Sequence, residues 1–301
     1  MISVHGLRKA YGEKVVLDGV DLSVAAGSVF ALLGPNGSGK TTTVQILSTL
    51  LPFDGGDVRV VGHDLVREPD AVRAAIGVTG QFSAVDGLLT GRENLRLMAD
   101  LAHLERAEGR RRADALLERF ELSDAADTAA TTYSGGMKRR LDLAMTLVGT
   151  PRLVFLDEPT TGLDPRSRRT MWKIVRELAD SGVTIFLTTQ HLDEADRLAD
   201  AVAVLDHGRI VVSGTPEELK RRVGGGHIRL RFDAAEGFAA ARRLLPAVAS
   251  DEEALTLDVA GDGSVGGLRA LLAQLDEHAI ELADLSIHTP DLDDVFFSVT
   301  R

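Results

Sequence analysis

The sequence predicts an α/β domain with a helical insertion, followed by a small α+β domain. Three observations point there. Gly34-Pro35-Asn36-Gly37-Ser38-Gly39-Lys40-Thr41 matches G-x-x-x-x-G-K-[ST] and lies between a short apolar run, Val29 to Leu33, and a helix-like stretch, Thr41 to Leu50. A second apolar run, Leu153 to Leu156, ends in the carboxylate pair Asp157-Glu158. Late in the chain, strand and helix signals restart after the triple glycine Gly224-Gly225-Gly226, with a shift in charge.

Residues 1–33 read as strands, and Val16 to Val24 alternates like a sheet with one wet face. The glycine-rich loop and its helix follow, then a strand at Gly56 to Gly62, a helix over 68–76 and a short strand from Ile76 to Thr79, ending at Gln81. From about Leu88 to Val148 the pattern is helical, with Ala113, Leu116, Leu117 and Phe120 at helical spacing. Strand and helix then alternate: Leu153–Leu156, Ser167–Ser181, Val183–Thr188, Leu192–Ala199, Ala201–Leu205 and Arg209–Val212. The expected first domain is 1–223, with its helical subdomain at about 82–150.

The expected second domain, 224–301, reads β-α-β-α-β-α. Its strand signals are Ile228–Phe232, Leu255–Val259 and Ile280–Ile287; its helical signals are Ala234–Leu245 and Val265–Leu275. Thr289 is the expected N-cap of a last helix, with Pro290 at the first helical position and Asp291, Asp293 and Asp294 in its first turn. From Gly224 onward there are six arginines, no lysine and 14 acidic residues.

The chemistry follows from the loop. Gly34, Gly37 and Gly39 let the backbone fold around a polyphosphate with its N–H groups inward, and the helix presents its positive end to the same anion. Lys40 reaches the β/γ-phosphates, and the Thr41 hydroxyl suits Mg²⁺. A carboxylate at the end of a parallel strand lies beside that loop; Asp157 suits a Mg²⁺ ligand and Glu158 a group that polarises water against the γ-phosphate.

Composition narrows the classes. The 301 residues allow two domains, and 44% are hydrophobic, enough for a core. The absence of cysteine excludes disulfides, thiol catalysis and cysteine-bound zinc, and fits a reducing cytoplasm. The eight histidines are scattered, with no ligand-like pair at helical spacing. No apolar run approaches the ~18–20 residues of a membrane span. The N-terminus lacks a signal-peptide pattern, so the expectation is a soluble chain. A net charge of −11 argues against nucleic acid and anionic lipid as main partners.

Between the two nucleotide motifs lies Tyr133-Ser134-Gly135-Gly136-Met137-Lys138-Arg139-Arg140. With the phosphate loop, Gln81, Asp157-Glu158 and the Gly162-Leu163-Asp164 turn, residues 1–215 resemble the ATP-binding-cassette (ABC) ATPases. The Tyr-Ser-Gly-Gly-Met run, Thr188-Thr189-Gln190 and Leu292-Asp293-Asp294-Val295-Phe296 resemble the daunorubicin-resistance type of bacterial antibiotic exporter subunits.

That resemblance implies a P-loop ABC nucleotide-binding domain whose ATP contacts run from Gly34 to Thr42 and include Tyr133, Ser134, Gly135, Gly136 and Asp164. It implies Tyr11 stacking on adenine, although a tyrosine before glycine also suits a plain turn. Gln81 would carry a carbonyl to Mg²⁺ and sense a membrane partner. The Ser134–Gly136 helix start would face ATP bound by a second subunit. Gln190 stands where the family carries its switch histidine, with His191 one residue on; Gln190 is the favoured group and His191 its competitor. The Arg110-Arg111-Arg112 run reads as a solvated helix face, with a partner contact as the alternative.

The implied function is an ATP-hydrolysing subunit of an exporter. It would act as an ATP-dependent dimer, homodimeric by expectation, on the cytoplasmic face of the membrane. A separate permease would carry a drug, antibiotic or lipid-like cargo. The alternatives are a cassette ATPase acting on ribosomes or nucleic acid, and a regulatory ATP binder with little turnover, the latter suggested by Gln190.

Overall fold

The computed structural model describes every residue except Gln81, Phe82, Gly224, Gly225, Asp262, Gly263, Thr289 and Arg301. The elements of the first part are β1 (Ile2–Tyr11), β2 (Lys14–Val24), β3 (Val29–Leu33), α1 (Lys40–Leu47), β4 (Gly55–Val60), β5 (His63–Asp64), α2 (Pro69–Ala75) and β6 (Ile76–Thr79). Next come α3 (Gly91–Leu101), α4 (Arg106–Arg119), short 3₁₀ turns at Ser123–Ala125 and Ala130–Thr132, and α5 (Gly135–Leu147). Then follow β7 (Leu153–Asp157), α6 (Pro165–Asp180), β8 (Thr184–Thr189), α7 (Leu192–Leu198), β9 (Ala201–Asp206), β10 (Arg209–Gly214) and α8 (Pro216–Val223).

Two sheets build the first unit, Met1–Pro216. One is antiparallel, in the order β2-β1-β4-β5; the other has the order β10-β9-β3-β8-β7-β6 and is parallel except at its β10 edge. Strands β3, β7 and β8 are buried at every residue, as expected of parallel strands covered on both faces. Their apolar side chains interlock: Phe186 stacks on Phe30 at 5.3 Å between centroids and meets Phe155 at 5.5 Å. Because β8 runs between β3 and β7, Thr188 pairs with Leu32 on one side and Asp157 on the other.

The insertion is helical where apolar spacing demands it. α3 opens on a capping box between Thr90 and Glu93. α6 starts at Pro165 with Asp164 as N-cap and buries Met171, Ile174, Val175 and Leu178 along one stripe. On α4, Arg111 and Arg112 both donate to Glu108, holding its carboxyl at about 2, and Arg112 also donates to the Val148 carbonyl at 2.8 Å.

The second unit, Glu217–Arg301, begins within α8, ahead of the glycine run where the sequence suggests a boundary. It contains β11 (His227–Arg231), α9 (Ala235–Leu244), β12 (Ala247–Asp251), β13 (Thr256–Ala260), α10 (Val265–Glu277), β14 (Asp284–His288) and α11 (Leu292–Val299). The sheet order β12-β13-β11-β14 is wholly antiparallel, and its first six elements form the ferredoxin-like split β-α-β arrangement. Its core holds Ile228, Leu230, Phe232, Phe238, Leu257 and Leu275.

Two expectations for this unit are corrected. Strand β12 is absent from the sequence reading because every one of its residues is exposed, which leaves no alternation to detect. The last helix is capped by Asp291, which exchanges hydrogen bonds with Asp294 in a capping box, so Pro290 precedes the cap and is not the first helical residue. Thr289, the expected cap, lies outside the described residues.

Candidate functional site

The phosphate loop joins the buried end of β3 to α1. Only glycine fits at two of its turns. A Cβ on Gly34 would lie 2.3 Å from the Leu205 carbonyl oxygen, and one on Gly39, at φ 111°, would lie 2.7 Å from Leu17 Cδ2. Thr43 ties the helix back by donating to the Gly39 carbonyl at 2.9 Å. Lys40 folds inward, and its Nζ donates to the carbonyls of Gly34 at 2.8 Å and Pro35 at 3.1 Å. Burial pushes its pKa down, while Glu158 and Asp157 oppose the shift. An ammonium held across the loop by its own carbonyls is placed to exchange them for phosphate oxygens.

Asp157 is buried at the end of β7, where its Oδ1 accepts from the Thr188 hydroxyl and, at 3.4 Å, from the Thr41 hydroxyl. Glu158 follows in the left-handed region at φ 50°. Its N–H donates to the Thr188 carbonyl at 3.1 Å, and its carboxylate accepts from Thr161 at 3.1 Å. Glu158 lines the same pocket, about 450 Å³, as Asn36, Gly37, Gly39, Lys40, Thr41 and Thr42, with Tyr11, Lys14 and Val16 also on its wall. Thr188 and Arg139 are site residues that sequence reasoning missed. Arg139 donates to the carbonyls of Asp157 at 3.0 Å, Glu158 at 3.3 Å and Pro159 at 3.0 Å. The available signal was a charged pair, Arg139 and Asp142, on a helix otherwise packed by Leu141, Leu143, Ala144 and Met145.

Tyr11 stands half-exposed at the end of β1, and the Lys9 ammonium lies 5.5 Å from its ring centroid. Asp54 holds Lys9 at 3.0 Å and accepts the Ala10 N–H at 2.7 Å. The polar platform therefore has an aromatic face beside the pocket.

Ser134 caps α5 by accepting from the Met137 N–H at 3.2 Å, and Ser134 and Gly135 are exposed. Gly136 is buried; a Cβ there would meet Ser167 Oγ at 2.4 Å. Tyr133 is buried, and its hydroxyl donates to the Ala125 carbonyl at 2.6 Å, so its side chain anchors the insertion. Asp164 is likewise engaged locally: its carboxylate accepts from the N–H groups of Arg166 at 3.1 Å and Ser167 at 3.3 Å. Gln190 is exposed after β8, and His191 is the half-buried N-cap residue of α7. Neither lines the pocket of Lys40 and Glu158. Gln81 lies outside the described residues.

A parallel sheet with a glycine-rich loop at one strand end and a carboxylate pair at another, interrupted by a helical insertion, defines a P-loop ATPase cassette. Residues 17–161 match the family model described as ABC transporter. The chain is 50% identical over 304 positions to the daunorubicin/doxorubicin resistance ATP-binding protein DrrA of Streptomyces peucetius, covering 99% of this chain and 92% of that one. It is 34% identical to the linearmycin resistance ATP-binding protein LnrL of Bacillus subtilis (strain 168), covering 100% and 98%. A solved ATP-binding subunit of an ABC transporter superposes with a TM-score of 0.66 at 30% identity, covering 74% of this chain and 92% of that one. The chain belongs to the ABC transporter family, as one of its ATP-binding ATPase subunits.

Proposed function

We propose that this chain powers export of a hydrophobic natural product through a separate membrane permease, by hydrolysing ATP between two copies of its cassette. The observation that carries the reading is that Lys40, Thr41 and Glu158 line one pocket with Tyr11. The adenine would stack on Tyr11, and the phosphates would lie in the loop from Gly34 to Thr42. Lys40 would pass from its own loop carbonyls to the phosphate oxygens.

The Thr41 hydroxyl and Asp157 carboxylate, 3.4 Å apart, are hard oxygen donors that fit Mg²⁺. When bound, the ion supplies charge neutralisation at the β- and γ-phosphates. Gln81 would join them. Glu158 polarises the attacking water, and Gln190, with His191 as competitor, contacts the γ-phosphate. The exposed Ser134–Gly135 helix start receives the nucleotide of the second copy.

Among the described residues no helix is long and apolar enough to cross a membrane; relatives named as ATP-binding proteins of resistance and export systems support a separate permease, with this chain on the inner membrane face. A family model described as ABC transporter and a relative named for Nod factor export favour transport over action on ribosomes or nucleic acid. Residues 224–301 are read as an accessory domain whose acidity suits a basic segment of the partner.

Deletion in the native host should raise retention of a fluorescent hydrophobic drug such as daunorubicin. The wild-type chain should restore efflux, and Glu158→Gln should not. Unchanged retention across a panel of hydrophobic antibiotics would sink the export reading.

A further inference from the structure

We propose that Arg139 and Asp142 on α5 are a positioning pair that holds the Glu158 backbone for hydrolysis and links it to the chain on both sides of Gln81. The inference rests on the reading of Glu158 as the hydrolytic carboxylate.

Every edge of the Arg139 guanidinium is matched. Nε donates to the Pro159 carbonyl at 3.0 Å. Nη1 donates to the Gly80 carbonyl at 2.9 Å and to Asp142 Oδ2 at 3.5 Å. Nη2 donates to the carbonyls of Asp157 at 3.0 Å and Glu158 at 3.3 Å. The carbonyls of three consecutive residues converge on one side chain because Glu158 turns through the left-handed region, at φ 50°. A planar fork satisfies such an arrangement; the compact ammonium of lysine does not.

Asp142 completes the unit. Its Oδ1 accepts the Ala84 N–H at 3.1 Å, while Oδ2 faces Arg139. Gly80 and Ala84 flank Gln81 in sequence, so the pair grips the chain before and after it. The side chains are 11% and 4% exposed. Burying both charges is costly unless each is paired and hydrogen-bonded, as they are. Burial pushes the Asp142 carboxyl up, opposed by the Ala84 N–H and the Arg139 charge. The same helix begins at the exposed Ser134 cap. A small rotation of α5 therefore moves the backbone of Glu158 and both flanks of Gln81 together, without Arg139 touching the nucleotide.

The test uses the full chain carrying Arg139→Lys, Arg139→Gln, Asp142→Asn or Glu158→Gln, and the double variant Arg139→Gln/Glu158→Gln. Thermal unfolding, equilibrium ATP binding and single-turnover ATP hydrolysis are measured for each. Arg139→Lys should keep ATP affinity within ~3-fold while hydrolysis falls ~10-fold or more, because the group acts on the reacting geometry and not on uniform binding. Asp142→Asn should show the same split at smaller size.

In the Glu158→Gln background, Arg139→Gln should cost less than ~2-fold further, since residues acting as a unit are not additive. Equal loss of affinity and rate in Arg139→Lys and Asp142→Asn, or full additivity in the double variant, overturns the proposal. If Glu158→Gln is inactive while the Arg139 variants hydrolyse at the wild-type rate, the positioning role fails alone. If Glu158→Gln turns over normally, the underlying reading of Glu158 fails, and the proposal with it.

Discussion

Thr41 and Asp157 are 116 positions apart in the chain, yet the Thr41 hydroxyl donates to Asp157 Oδ1 at 3.4 Å. The contact exists because β8 alone separates β3 from β7 in the sheet, so the two strand ends open at the same rim. Two hard oxygens on that rim are the donors proposed for Mg²⁺. Asp157→Asn should weaken ATP binding ~10-fold or more in Mg²⁺ and leave binding in EDTA nearly unchanged, because the carboxylate acts through the ion. Calorimetric titration in both buffers reads this, and an equal loss in both would assign Asp157 a structural role.

Lys40 and Glu158 should separate binding from chemistry. Lys40→Ala removes a phosphate contact and should lower ATP affinity. Glu158→Gln keeps the shape and loses the base, so ATP should bind while hydrolysis falls ~10²-fold or more. The inactive variant should also trap the dimer: with ATP, Glu158→Gln should sediment as a dimer, and adding Ser134→Arg should return it to monomer with nucleotide still bound. A double variant that remains dimeric argues against the exposed Ser134 helix start as the second contact.

Gln190 and His191 are the two groups proposed for the γ-phosphate, and their local surroundings differ. The His191 N–H donates to Thr189 Oγ1 at 2.9 Å as its chain turns into α7, whereas Gln190 is exposed before that turn. Gln190→Ala should therefore reduce turnover ~10–10³-fold, the range for losing a transition-state hydrogen bond, and His191→Ala far less. Gln190→His should retain activity. Steady-state rates of the three variants decide the matter, and an inactive His191→Ala beside an active Gln190→Ala reverses the assignment.

Glu194 supplies a pH prediction. It is fully buried, and its carboxylate accepts from the Trp172 indole N–H at 3.0 Å. Burial raises its pKa, against the opposing hydrogen bond from Trp172. A folded value above the unfolded ~4.3 means that its favourable contribution is complete below that pH and is lost as pH rises through the folded value. Glu194→Gln keeps an acceptor for Trp172 without the ionisation. Its stability relative to wild type should therefore grow between about pH 4 and the folded value, as urea unfolding across that range would show. A difference independent of pH would place the titration elsewhere.

The second unit has its own core, centred on Leu230 and Leu257, both fully buried. A chain ending at Val223 should still bind ATP, with affinity within ~3-fold of the full protein, since no group of the nucleotide pocket lies beyond it. A soluble truncated chain without nucleotide binding would show that residues 224–301 support the site.

Local chemistry made much of this legible. Glycine is required at Gly34 and Gly39, where a Cβ would clash, and suits the positive φ of Gly37, so their spacing announces a phosphate cradle. Continuous apolar runs at Val29–Leu33 and Leu153–Leu156 announce strands covered on both faces, because no polar side chain could sit there unpaired. Both signals depend on neighbours within a few residues.

What the tertiary structure alone decided depends on partners far along the chain. The sequence shows Arg139 as one cation in a basic run; packing of α5 against β6, the neighbour of β7, brings it to the carbonyls of Asp157, Glu158 and Pro159. Thr188 becomes a donor to Asp157 only through the parallel register of β7 and β8. Tyr133, read beside the nucleotide motif, is drawn into the insertion by the Ala125 carbonyl. The exposed β12 forms without any apolar period, because its hydrogen bonds to β13 are backbone groups that carry no residue identity. Periodicity and backbone freedom are written locally, while the direction of a buried polar side chain is set by whichever acceptor the fold brings within reach.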